Sequence, residues 1–224
     1  MYNDLDGDVV NLFQVVRDRG EELRRMLALT PFARAEHEQA MCLSEDPLES
    51  ARRLVIRSFM GFGSNGHNPK RKTGFRANSN RSGTSPAHDW ANYPDALPAL
   101  IERLRGVVIE CRPAIQVMQA HDGPYTLHYC DPPYVPETRS QLAHSPSCYV
   151  HEMTEEDHCQ LAKYLLTVRG MVVLSGYDCP LYQDLYRGWR TITRLALADG
   201  AKERMEVLWF SPNCSEIQPR LEAL

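Results

Sequence analysis

The sequence predicts an α/β fold, and three observations predict it. Short apolar runs at residues 107–110, 125–129 and 171–175 alternate with stretches whose apolar side chains recur at helical spacing. The run at 125–129 has the form of a buried strand of a parallel sheet, and it stops at Asp131-Pro132-Pro133-Tyr134. Proline donates nothing to a ladder and pushes the residue before it out of the helical region, so the chain must turn there. That turn leaves Asp131 and Tyr134 at the carboxyl edge of the sheet, where open α/β sheets bind ligands. Finally, 224 residues are enough to bury a sizeable core, as one domain or one domain with an insertion.

The elements follow in order. Residues 1–4 end a strand, and a helix over about 5–19 buries Val9, Leu12, Phe13 and Val16. Asp4 or Asp6 is placed to cap that helix. Shorter helices follow at 21–28 and from Thr30-Pro31 to about Cys42, then a longer one at 48–60 with Leu54, Val55 and Phe59 apolar. Residues 61–94 are rich in Gly, Asn, Ser, Arg and Pro and show little periodicity, a loop of a length that is usually functional or disordered.

A helix at 97–104 ends at Arg105-Gly106. The strand at 107–110 follows, and Pro113 opens a helix at its first turn, where proline is accommodated. A second loop, 135–150, precedes a helix that runs to Arg169, with Thr154 as N-cap and acids in the first turn. The strand at 171–175 turns off at Ser175-Gly176-Tyr177-Asp178. A short helix at 180–186 leads to two strands, 189–197 and 204–210, joined through Asp199-Gly200.

Charge is distributed unevenly. The net charge is −4, yet residues 51–112 carry 11 basic and 4 acidic side chains while the flanking segments are acidic. No Asp or Glu occurs between Glu49 and Asp89, where Arg52, Arg53, Arg57, Lys70, Arg71, Lys72, Arg76 and Arg81 lie. Such a block suits a polyanion; the plainer alternative is a solvated charged loop. Phe62, Phe75, Trp90 and Tyr93 are interleaved with these cations and with asparagines. That mixture suits phosphate contact with base-edge reading.

Seven scattered cysteines without a C-x-x-C pair fit a reduced, cytoplasmic protein. Nothing approaches 18 consecutive apolar residues, so no membrane partner is expected, and the acidic, polar N-terminus is not a signal peptide. His144, Cys148, His151, His158 and Cys159 are types that bind zinc. Their spacing fits no usual zinc pattern, and His158 falls on the apolar side of its helix with Leu161 and Leu165, so no metal is expected.

Asp131 and its neighbours suit the handling of an exocyclic amino group. An aspartate oxygen and the Pro132 carbonyl are two acceptors that can hold both hydrogens of an –NH2 and aim its lone pair. Tyr134 offers a face on which a base can stack, worth ~1–3 kcal/mol. A capped turn at a strand end would use the same four residues.

The tetrapeptide resembles the D-P-P-Y motif of amino-methyltransferases, specifically the Dam-like N6-adenine DNA methyltransferases. The resemblance extends to Tyr2-Asn3-Asp4-Leu5-Asp6-Gly7-Asp8-Val9-Val10-Asn11-Leu12, Arg57-Ser58-Phe59-Met60-Gly61-Phe62-Gly63, Leu174-Ser175-Gly176-Tyr177-Asp178 and Glu206-Val207-Leu208-Trp209. These blocks stand in the family's order and reach to about residue 212. The implied fold is a Rossmann-like S-adenosylmethionine-dependent methyltransferase sheet, 1–41 and 106–224, carrying a mostly helical basic target-recognition insertion at 42–105. The family's first strand and glycine-rich cofactor loop have no counterpart here: either the start site is wrong, or the gene is decayed or truncated, or a complementing N-terminal segment or chain supplies the piece.

The implied activity is methyl transfer from S-adenosylmethionine to N6 of adenine in double-stranded DNA, after the base is flipped out. The resemblance makes Asp131, Pro132, Pro133 and Tyr134 catalytic. It assigns Asp4, Glu110 and Asp131 to the cofactor, and Arg57, Lys70, Arg71, Lys72, Arg76, Arg81 and Tyr149 to DNA. Two alternatives stand beside it: a truncated remnant that only binds DNA, and an amino-methyltransferase acting on RNA.

Overall fold

The structure, a computed structural model, describes residues 1–62, 73–77, 84–138, 149–198 and 202–215. The chain is mixed α/β and divides into two compact units, Met1–Ala114 with Cys148–Val150, and Ile115–Ser147 with His151–Leu224. Among the described residues, no helix is long and apolar enough to cross a membrane.

The first unit is mostly helical. Strand β1 (Tyr2–Asn3) pairs in parallel with β2 (Ile109–Glu110). Helix α1 (Gly7–Leu29) starts at Asp6, whose carboxylate accepts from Asp8 N. Asp6 is therefore the cap, while Asp4 shapes the turn before it. The sequence suggests two helices here, and within α1 they meet where Arg19 leaves helical geometry in a kink (φ −134°, ψ 29°).

Packing carries the helix across that kink. A Cβ at Gly20 would overlap the Ile101 side chain of α5 (Leu97–Leu104), so the glycine lets the two helices approach closely. Helices α2 (Arg34–Gln39), α3 (Pro47–Met60) and α4 (Pro86–Asn92) complete the unit, with a 3-10 turn at Tyr93–Ala96. Helix α4 lies inside the stretch read as loop. Trp90 secures it by donating from Nε1 to the Thr30 carbonyl at 2.8 Å.

Val16, Leu23 and Leu27 of α1 share one core with Val55, Ile56 and Met60 of α3, Trp90 and Leu97. The helices within 42–105 thus pack on α1 in one compact unit, because the apolar stripe of α3 has α1 to bury against.

The second unit is built on a four-stranded sheet in the order β3 (Leu127–Cys130), β4 (Met171–Tyr177), β6 (Lys202–Phe210), β5 (Arg190–Ala198). β3 and β4 are parallel, and the other pairs are antiparallel. One face is buried. Val172, Leu174, Val207 and Trp209 pack against Leu161, Ala162 and Leu165 of α7 (Glu155–Leu165), Tyr182 of α8 (Pro180–Leu185), and Met118 of α6 (Ala114–His121).

Thr154 caps α7 in a reciprocal capping box with Asp157. Asp122 ties the starts of β3 and β4 together, accepting from Arg169 N at 2.8 Å and Gly170 N at 2.9 Å. No side chain fits at Gly170, where a Cβ would lie 2.6 Å from the Thr126 carbonyl.

The other face differs from expectation. The run at 125–129 reads as buried throughout, yet Leu127 is 57% and Tyr129 62% exposed, while His128 between them is buried. β3 alternates because only one of its faces meets the α7 layer.

Candidate active site at the carboxyl end of strand β3

Asp131 directly follows β3, and the parallel register Cys130↔Leu174 sets it beside Ser175 of β4. The Ser175 hydroxyl donates to Asp131 Oδ1 at 2.6 Å; its alternative acceptor, the Cys130 carbonyl, is 3.3 Å away. Ser175 is buried, whereas the aspartate is exposed. Asp131 forms no ion pair among the described residues. Two positions on, Tyr177 meets Tyr134 edge-on, with centroids 4.5 Å apart at 71°.

Gly176, between these two, points to the opposite face. A Cβ there would come 3.0 Å from Tyr182 Cε2 and 3.4 Å from Trp209 Cζ3. The tripeptide Ser175-Gly176-Tyr177 thus serves two faces: its outer residues reach the D-P-P-Y turn and its glycine admits the aromatic core. The sequence suggests a turn after Ser175. Instead β4 continues through Tyr177, held by ladder partners Leu208, Val207 and Glu206 of β6.

A groove of about 510 Å³ lies on this face, lined by Tyr129, Asp131, Tyr134, Ser175, Ile192, Arg194, Glu206, Val207 and Leu208. Arg194 and Glu206 are direct cross-strand partners and place opposite charges side by side. Sequence reasoning did not single out Ile192, Arg194 or Leu208. Their only signal is the alternation of the hairpin strands, which says which residues share a face but not what that face meets. A second cavity, about 230 Å³ between Leu27 and Pro94 in the helical unit, has no titratable side chain in its lining.

Cys130 precedes Asp131 but points the other way, with its Sγ 3.9 Å from Met118 Sδ. Burial pushes its thiol up to about 12, so it stays protonated and is no nucleophile at neutral pH.

The expected cofactor residues fall in both units. Asp4 and Glu110 stand at the carboxyl ends of the parallel pair β1–β2, joined through Asp4 N and the Glu110 carbonyl at 3.4 Å. Asp4 Oδ1 accepts from Asp6 N at 2.9 Å, and Oδ2 from Tyr2 OH at 3.3 Å. Each Asp4 oxygen keeps a second lone pair, so this carboxylate at a strand end can accept from the hydroxyls of a ribose. Asp131 belongs to the other unit.

Among the expected DNA contacts, Arg57 is corrected. It is 1% exposed, donates to the Ala40 carbonyl at 2.9 Å and lies 3.4 Å from Asp8 Oδ2. Helix α3 turns it into the core, so it offers no charge to a polyanion. Arg52 and Arg53 are likewise engaged, both with Glu49. Arg76 is half-buried, its backbone N donating to the Met60 carbonyl, and Tyr149 is 39% exposed. Lys70, Arg71, Lys72 and Arg81 lie outside the described residues.

Of the zinc-type residues, His158 is fully buried with Nδ1 3.0 Å from Tyr182 OH, and His144 and Cys148 lie outside the described residues. No cluster of metal-ligating side chains occurs among the described residues.

The fold and site define a mixed α/β protein with an exposed carboxylate and aromatic rings at a sheet's carboxyl edge. No known protein family matches the chain, and no curated protein matches it.

Proposed function

We propose that this chain is a DNA adenine-N6 methyltransferase with a Rossmann-like sheet. One observation carries the reading: Asp131 emerges from a parallel strand as an exposed acceptor in a groove shared with Tyr129 and Tyr134. The parallel pair β3–β4 followed by the antiparallel β6–β5 hairpin supports the same sheet type.

Adenine N6 is out of reach in a stacked duplex, so the base is flipped out before it enters the groove. Asp131 and the Pro132 carbonyl accept the two N6 hydrogens and direct the nitrogen lone pair, and Tyr134 stacks on the ring. Pro133 rigidifies the turn between them. Asp4 would hold S-adenosylmethionine by its ribose and Glu110 would border its adenine, and when bound that cofactor supplies an electrophilic methyl group. No covalent enzyme intermediate is required, in keeping with the buried, protonated Cys130.

The basic stretch around residues 70–81 supplies the phosphate contacts. The test is transfer of radiolabelled methyl from S-adenosylmethionine to duplex DNA, with single-stranded RNA alongside. Asp131→Ala abolishes transfer and leaves DNA binding nearly intact. Equal loss of both would sink the role of Asp131, and preference for RNA would move the substrate.

A second reading has its own observation. Parallel strands are ordinarily covered on both faces, yet Leu127 and Tyr129 of β3 are exposed, and the pair β1–β2 is a separate sheet from the other four strands. On that reading the chain binds DNA but transfers methyl only once a further segment or chain completes the sheet. Calorimetric titration of S-adenosylmethionine separates the two. Micromolar binding lost in Asp4→Ala favours the enzyme as it stands, and no heat favours completion from elsewhere.

A further inference from the structure

We infer that Ser175 is a positioning residue that orients the Asp131 carboxylate for an incoming amino group. The inference rests on the proposal that Asp131 accepts an exocyclic amine, and it names the group that makes one carboxylate oxygen the acceptor. A serine hydroxyl has one proton to give. At 2.6 Å from Asp131 Oδ1 and 3.3 Å from the Cys130 carbonyl, that proton belongs to the carboxylate.

The consequence is geometric. An aspartate on an exposed turn rotates about its last torsion, which is broad and roughly two-fold. Within that broad well the plane of the carboxylate sweeps and presents the amine with a moving target. Ser175 stops that rotation. It stands mid-strand on β4, with Leu208 beside it on β6, and is itself buried, so its hydroxyl is fixed by the sheet.

With Oδ1 held, Oδ2 becomes the oxygen presented to the groove. Asp131 has no other side-chain hydrogen bond among the described residues, so this contact alone sets its orientation. A hydrogen bond from a neutral hydroxyl leaves the carboxylate charged and able to accept. A lysine or arginine in the same place would instead compete with the amine for it.

The experiment compares adenosine with purine riboside, which has the same ring and sugar but lacks the amino group. Binding of both is measured by calorimetry to the full chain and to Ser175→Ala, Ser175→Thr and Asp131→Asn. The wild-type chain prefers adenosine. Ser175→Ala loses about tenfold of that preference, Ser175→Thr keeps it, and adding Ser175→Ala to Asp131→Asn costs nothing more, because Ser175 acts through Asp131. Purine riboside binds the wild-type chain and every variant alike, which a merely structural role for Ser175 would not give.

An unchanged preference in Ser175→Ala overturns the inference, and so does a wild-type chain with no preference. Threonine retains the hydroxyl on a residue type that strands favour, so a folded variant remains to be read even where alanine loosens the sheet. Methyl transfer to DNA is measured in parallel. An amine preference that depends on Ser175 without any transfer would sink the methyltransferase reading and leave this inference standing. Transfer with kcat unchanged in Ser175→Ala would do the reverse.

Discussion

The ring of Tyr134 stands edge-on to that of Tyr177, with centroids 4.5 Å apart at 71°. Tyr177 is held in the ladder opposite Glu206, whereas Tyr134 belongs to the turn after β3, so the strand residue sets the plane of the turn residue. Such pairs contribute about 0.5–1.5 kcal/mol beyond their buried area. For the proposed methyl transfer, Tyr177→Ala is therefore expected to lower kcat by about two- to tenfold, with Tyr177→Phe, which keeps the ring, losing less. The measurement is steady-state transfer on duplex DNA; equal losses in both variants would show that the hydroxyl matters and the ring pair does not.

Arg57 is expected to act on stability and not on DNA. Its guanidinium is buried against the Ala40 carbonyl, and desolvation lowers its pKa although Asp8 and Asp6 favour the charge. Arg57→Ala removes that packing and leaves the Ala40 carbonyl without this donor, at an expected cost of about 2–4 kcal/mol. Urea unfolding gives the loss. The slope of log affinity for DNA against log salt stays unchanged, since no phosphate contact is removed. A shallower slope in the folded variant would return Arg57 to the interface.

Asp122 makes the stability of the second unit depend on pH. Burial works to raise its pKa, but the Arg169 and Gly170 N–H groups and His128 outweigh it, and the carboxyl is held below the usual range. A lowered folded pKa gives stability that is full above the ordinary carboxylate range and is lost as pH falls through the folded value. Asp122→Asn is expected to cost about 1–3 kcal/mol at pH 7. The gap from wild type narrows below about pH 4 as Asp122 protonates in the parent. Melting curves between pH 3 and 7, with roughly this spacing of carboxylate pKa values in view, check it; a constant gap would show that the charge contributes nothing.

Much of the fold is legible in the sequence where local signals agree. Thr154 ahead of three acids and the two strands expected at 189–197 and 204–210 each state their element, and the structure has them. The break expected near Gly20 is present as the kink at Arg19. A glycine weakens a helix locally, and only the approach of Ile101 shows why one is placed there. Arg57 fails as a surface cation for a similar reason: one turn of helix decides between solvent and core, and composition does not record the angle.

By itself, the sequence determined the order of most helices and strands, α4 excepted, the turn that ends β3 at Asp131, and the uneven charge along the chain. These depend on spacing, proline and capping, which act over a few residues. Only the tertiary structure decided that Ser175 reaches Asp131, that Tyr177 meets Tyr134, and that Arg57 is buried. Ser175 and Asp131 are 44 residues apart in sequence, and no local rule sets the register between two parallel strands. That register is set by which apolar side chains of β3 and β4 share the buried face, a property of the folded sheet as a whole.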